Sequence, residues 1–182
     1  MQIVALNTTL VDICQAEFEQ IGWSKPDGYF AACLEQQDRN ELVFFVAIDD
    51  DNYVGNHYVG HAKLVWQPNY VHFKEADIPE IQDLNVLPSY RKRGIGTQLI
   101  QRCEATAATR CNGIGIGVGL HPGYNAAQRL YSKLGYILDG HGVHYHDVPV
   151  KERQTYRFDD DLIIYFTKVL EKSAISHESP AT

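Results

Sequence analysis

Val86-Leu87-Pro88-Ser89-Tyr90-Arg91-Lys92-Arg93-Gly94-Ile95-Gly96-Thr97 is the stretch on which the reading of this chain turns. A strand read from Glu80 to Leu87 stops at Pro88. Three consecutive basic side chains follow, then two glycines one residue apart, then a helical pattern. Parts in that order build an anion site. The glycines let the backbone come close to a ligand. The first turn of the new helix aims free N–H groups, and the positive end of its dipole, at negative charge. A ligand carrying phosphates fits such a site.

Outward from this loop, strand and helix periods alternate. Upstream, Gln2 to Leu6 reads as a first strand. A helix capped by Thr8 or Thr9 follows to about Gln20, with Leu10, Ile13, Cys14 and Phe18 on one face. A second helix follows Pro26, placed in its first turn, and reaches about Gln37. Leu42 to Ile48 is an apolar strand, Asp49 to Gly55 a turn, and His57 to Trp66 the antiparallel return; Gln67 to Pro79 reads as an irregular loop. Downstream, Gly94 to about Arg110 is a helix that buries Ile95, Leu99, Ile100, Cys103 and Ala107. Gly113 to Leu120 alternates glycine with Ile114, Ile116, Val118 and Leu120, which marks a strand. Asn125 to Leu134 is a short helix with Leu130 and Leu134 inward, stopped by Gly135; a strand begins at Tyr136 to Leu138, and Leu162 to Lys168 is the last. There is no repeat and no linker. The expected architecture is α/β (α+β): one domain over residues 1–172 with a mixed, mostly antiparallel sheet and helices on both faces, then a flexible polar tail over 173–182.

The 182 residues carry a net charge of −7, with 45% hydrophobic and 21% charged side chains, which is the balance of a globular domain. The acidic excess argues against a nucleic-acid partner and makes Arg91-Lys92-Arg93 stand out as a local anion site. No apolar run is long enough to span a bilayer and no leader pattern opens the chain, so no membrane partner is expected. Cys14, Cys33, Cys103 and Cys111 lack CxxC spacing and read as reduced thiols of a cytoplasmic protein, without a zinc site. His144 and His146 would share one face of a strand, a geometry that can chelate, but spacing fixes no further ligand; a substrate-side loop or plain surface is the better account, and no metal is expected. The runs Asp49-Asp50-Asp51 and Asp159-Asp160-Asp161 read either as solvated turns or as attractors of a cationic substrate.

Arg91-Lys92-Arg93-Gly94-Ile95-Gly96 resembles the cofactor motif [Q/R]-x-x-G-x-[G/A] of GNAT-type (Gcn5-related) N-acetyltransferases. Asn125-Ala126-Ala127-Gln128-Arg129-Leu130-Tyr131-Ser132-Lys133-Leu134-Gly135-Tyr136 is similar to that family's second motif, with an alanine displaced by one place. Both stand in order, and the likeness is best over residues 42 to 138. It implies acetyl-CoA as co-substrate. The amides of Arg93, Gly94, Ile95, Gly96 and Thr97 would hold the pyrophosphate, and Arg91 and Lys92 would add charged contacts. The pantetheine arm would pair with the backbone of Val86, Leu87 and neighbours in a gap between two splayed strands, touching Asn125, which on its own reads as a helix N-cap. Tyr131 resembles the family's general acid, against the plain reading of an aromatic on an apolar helix face. Glu80 stands at the spacing where histone-acetylating members carry their base. Strand alternation gives it a face shared with Gln82, Leu84 and Val86, with Asp83 opposite as the second candidate and ordered water as the third. His121, between strand and helix, is a candidate proton relay.

The resulting expectation is transfer of an acetyl group to a primary amine of a small molecule, polycations included; the acidic surface and the aromatic, histidine-rich stretches 66–73 and 141–146 suit a polycationic or amine substrate. Acetylation of a protein N-terminus or lysine is the alternative, and a non-catalytic acyl-CoA-binding module is a third, disfavoured because Tyr131 and Glu80 are both present. Dimers are common in the family, and Leu162 to Lys168 could support a homodimer.

Overall fold

The computed structural model describes residues 1–23, 25–49 and 57–171. The turn over Asp50 to Gly55, with Asp50 and Asp51 of the first acidic run, and the tail from Ser173 lie outside the described residues. Eight strands form one sheet in the order β1-β2-β3-β4-β5-β8-β6-β7. They are β1 Gln2–Ala5, β2 Leu42–Asp49, β3 His57–Val65, β4 Glu80–Val86, β5 Gly113–Gly119, β6 Ile137–Tyr145, β7 Val148–Pro149 and β8 Leu162–Val169. Only β4 and β5 run parallel; every other pairing is antiparallel. The helices are α1 Thr8–Gln20, α2 Tyr29–Asp38, α3 Val71–Glu75, α4 Ile95–Ala107 and α5 Asn125–Lys133.

The two faces of the sheet bury separate cores. Beneath α4 and α5 lie Leu99, Ile100, Cys103, Ala107, Ile114, Ile116 and Tyr131. On the opposite face, α1 and α2 cover Phe44, Val46 and Tyr58 with Leu10, Cys14, Phe18, Phe30 and Cys33. All five residues expected to be buried on α4 are buried. The alternation of β5 has a physical cause on each side. Its isoleucines and Val118 fill the α4 core, while a Cβ at Gly115 would meet the Phe73 ring at 2.2 Å and one at Gly119 the Tyr124 ring at 2.4 Å. Aromatic rings thus occupy the glycine face, where a side chain would collide with them.

Three local expectations are corrected. Asn7, not Thr8 or Thr9, caps α1, its Oδ1 accepting from the Leu10 N–H at 3.1 Å. Pro26 precedes α2 instead of sitting in its first turn, because Gly28 at φ 72° makes the entry. The loop before β4 contains the short helix α3, and β7 was not anticipated. β8, the strand expected to support a homodimer, lies between β5 and β6 and pairs with both.

Candidate active site

β4 and β5 are in register only at Glu80–Gly115 and Ile81–Ile116, although β4 continues to Val86 and β5 to Gly119. Beyond Ile81 the sheet opens. The cleft there has a volume of about 460 Å³, and Glu80, Asp83, Tyr131, Asp147, Asp160 and Tyr165 are among its walls. A bulge widens the opening: Gln82 pairs with Lys63 and Asn85 with His61, so Asp83 and Leu84 together stand opposite Ala62, with Asp83 at φ 53°. Neither residue has a register partner on β3 or β5, which leaves the strand edge available for an added extended chain.

The bulge also overturns the simple alternation of β4. Ile81, Leu84 and Val86 pack toward the α4 core, whereas Asp83 bonds His61 on the other side, the side of Glu80 and Gln82. Asp83 therefore shares a face with Glu80, and Leu84 and Val86 do not. Two residues opposing one on the partner strand flip every side chain that follows.

The two carboxylates are treated differently. Glu80 is 6% exposed, and Gln82 donates to its Oε2 at 2.8 Å. Burial pushes its pKa up to about 7, with the Asp147 carboxylate adding to the rise and the Gln82 bond and Lys63 charge opposing it. Asp83 accepts from Lys25 Nζ at 2.5 Å, from the Tyr29 hydroxyl, from Asn85 Nδ2 at 2.7 Å and from His61 Nε2 at 3.0 Å. Burial works against its charge, but the His61 bond and the Lys25 ammonium prevail and hold it far below the usual carboxylate range. With Asp83 ionised, His61 Nε2 must carry the proton, so Nδ1 accepts from the Tyr58 hydroxyl at 2.6 Å. Burial keeps that imidazole neutral. Asp83, the second candidate base of the sequence reading, has both oxygens engaged by neighbouring donors, an arrangement that suits an anchor for the bulge.

Tyr131, 4% exposed on α5, lines the same cleft. Burial raises its pKa well above the phenol range, so it stays protonated and able to donate. His121 is otherwise engaged. Its Nδ1 accepts from the Gly123 N–H at 3.1 Å and its Nε2 meets Asp160 Oδ1 at 2.8 Å, beside the Tyr124 hydroxyl on the same oxygen.

At the far end of β4 the anion loop takes the expected form. Gly94 at φ 81° caps α4 with no side-chain hydrogen bond, leaving the first-turn amides of Ile95, Gly96 and Thr97 without a side-chain cap. Arg91, Lys92 and Arg93 are exposed around it, Lys92 at φ 63°. Arg91 Nε donates to the Val86 carbonyl at 3.1 Å while its guanidinium lies 5.8 Å from the centre of the Trp23 ring; Arg93 lies 4.8 Å from that of Tyr90. Gly96 faces Leu130 and Val86.

A model of the acetyltransferase (GNAT) family matches residues 9–136. The chain belongs to that family. No curated protein sequence matches it. Solved structures share the fold at low identity. An N-acetyltransferase from Staphylococcus aureus Mu50 is 19% identical over 93% of this chain and 98% of that one, with a TM-score of 0.68. Spermidine N-acetyltransferase from Vibrio cholerae with CoA and spermine is 17% identical over 94% and 96%, at 0.64. Arabidopsis thaliana NAA60 with acetyl-CoA is 17% identical over 92% and 97%, at 0.66.

GNAT acetyltransferases use acetyl-CoA, and the residues here fit it: a splayed strand pair for an extended arm and a bare helix start, ringed by cations, for its phosphates. Leu87 is buried in the α1–α2 core, its N–H bonding the Val59 carbonyl and its carbonyl accepting from the Tyr90 N–H. One sequence expectation beside it is corrected. Asn125 is the first residue of α5, not its N-cap, and its exposed side chain is free to meet a ligand. On the histidines, His144 lies buried in β6 while His146 sits in the following turn beside Asp161, so they do not share a strand face. Among the described residues no group of three or more potential ligands could hold a metal ion, and no helix is long and apolar enough to cross a membrane. Asp147, Tyr165 and Lys25 also line the cleft, and sequence reasoning missed all three.

Proposed function

We propose that this acetyltransferase acts on a primary amine of a small cationic molecule, with Glu80 as base and Tyr131 as acid. The observation that carries the reading is that these two buried side chains share one cleft, one with its pKa pushed up to about 7 and the other held protonated. When bound, acetyl-CoA supplies the thioester carbonyl that the amine attacks, and it leaves as the thiol. Glu80 removes a proton from the ammonium, which exposes the nitrogen lone pair. The Tyr131 phenol delivers a proton to the departing sulfur, and its own proton is restored by the second one the nitrogen sheds. Asp83, its lone pairs engaged, keeps the β4 bulge in place between them. Four carboxylates line the cleft, while Lys25, its sole ammonium among the described residues, is tied to Asp83; this favours a cationic acceptor.

The test is release of free CoA thiol from acetyl-CoA with a panel of small amines. Glu80→Gln should lower kcat by about a hundredfold or more at pH 7, and Tyr131→Phe by about tenfold. Acetyl-CoA should raise the Tm of all three proteins, since neither substitution touches the helix start. Full activity in Glu80→Gln would remove the base assignment; no stabilisation of the wild type would remove the whole reading.

A further inference from the structure

Asp147 stands at the tip of the tight turn between β6 and β7, where His146 at φ 51° and Asp147 at φ 62° both adopt the left-handed conformation that two-residue hairpins require. The turn sends the Asp147 side chain into the cleft, where the Tyr165 hydroxyl donates to Oδ1 at 2.5 Å. Tyr165 is itself fixed, stacked on Tyr70 at 3.6 Å between ring centres. The other carboxylates of the cleft are placed for other work: Asp83 has four donors, Asp160 is largely exposed and takes both His121 and Tyr124 on Oδ1, and Glu80, bonded to Gln82 through Oε2, is the base of the reading above. Asp147 Oδ2 has no partner among the described residues, and Tyr131, a buried residue, lines the same space.

We propose that Asp147 is the specificity-determining residue of the acceptor site: its free oxygen, beside the Tyr165 clamp, takes a second positive charge on the acceptor, and the preferred substrates are diamines or longer polycations. This rests on the acetyltransferase reading above and adds to it which acceptors are chosen and by what group. An ammonium held there leaves the reacting amine to Glu80, which lines the same cleft and whose carboxyl feels the Asp147 charge. A neutral-tailed amine would leave the Asp147 charge unmatched.

The experiment compares diaminobutane with aminobutanol, matched in length and differing in the distal charge, on wild type, Asp147→Asn and Tyr165→Phe. Asparagine keeps the volume and can still accept from Tyr165. The wild type should prefer the diamine by about tenfold or more in kcat/KM. Asp147→Asn should lose that preference, its KM rising several-fold more for the diamine than for aminobutanol when both are measured above the acidic limb; Tyr165→Phe should fall between. A merely structural role would lower both acceptors together, and that result overturns the proposal. Equal use of both acceptors by the wild type overturns it as well, while leaving the acetyltransferase reading in place. Thiol release with neither acceptor, nor with any other amine, removes both.

Discussion

Glu80 and Asp83 stand on one strand, face one cleft and are both largely buried, yet burial leaves one with a pKa near 7 and the other fully ionised. The difference lies in the donors. Glu80 receives one neutral amide and feels a second carboxylate, Asp147. Asp83 receives an ammonium, an imidazole, a phenol and an amide. Desolvation makes a base only where the protein withholds compensation; where compensation is complete, the same burial makes a structural ion. The two roles also need each other, since the bulge that Asp83 pins is what brings both onto one face.

The harshest way to break this contrast is Asp83→Ala. It would strand the Lys25 ammonium and leave buried His61 and Tyr29 without their acceptor, so stability should fall by about 3–5 kcal/mol, read from urea unfolding at pH 7. Because the native pKa of Asp83 is depressed, its contribution is complete above the ordinary carboxylate range and is lost only as pH falls beneath it. A loss under about 1 kcal/mol would mean that the network contributes little, and that the bulge is held by the β3 pairing alone.

Glu80→Gln should act in the opposite direction. A carboxyl raised from 4.5 to about 7 in the native state costs stability once ionised. The native protein binds the extra proton between those values, so wild-type stability declines as pH rises through that window and is flat above it. The glutamine variant escapes the penalty. It should be more stable than wild type at pH 8, by up to about 3 kcal/mol, with the gap closing toward pH 5. It would also be nearly inactive, the expected exchange of function for stability at a strained site. Equal unfolding free energies at both pH values would show that Glu80 is not desolvated.

How far the sequence discloses this arrangement follows from the range of the forces involved. The buried stripe of α4 and the glycine alternation of β5 are local periodicities, and both are visible in the residues themselves. The loop Arg91 to Gly96 and Tyr131 are legible for a second reason, a spacing shared with a family. The bulge is different. It exists because Asp83 and Leu84 oppose one residue of β3, so alternation carried past Gln82 places Leu84 and Val86 on the wrong face. Asp147 enters the cleft from a turn far downstream, and β8 inserts between β5 and β6, out of sequence order. Neither fact has a local signal, although the His146-Asp147 pair before Val148 hints at a turn. The anchors of Asp83 are gathered from α2, β3, β4 and the segment before α2, and no spacing relates them.

The finest test concerns the value near 7 itself. Lys63, paired with Gln82 across β3 and β4, pulls the Glu80 pKa down, whereas Asp147 pushes it up. Lys63→Met keeps most of the side-chain volume and removes the charge, so ionised Glu80 loses a stabilising neighbour and its pKa must rise. The acidic limb of kcat/KM against pH should move to higher pH, by less than about one unit for a single partly exposed charge. Asp147→Asn should move the same limb to lower pH. Tyr131→Phe should lower the whole profile and leave the limb where it is, because the phenol stays protonated across this range. Opposite displacements from two substitutions on opposite sides of one carboxylate would tie the limb to Glu80. If neither substitution moved it, the titrating group would be the free acceptor amine, and Glu80 would join Asp83 as a buried charge without a part in proton transfer.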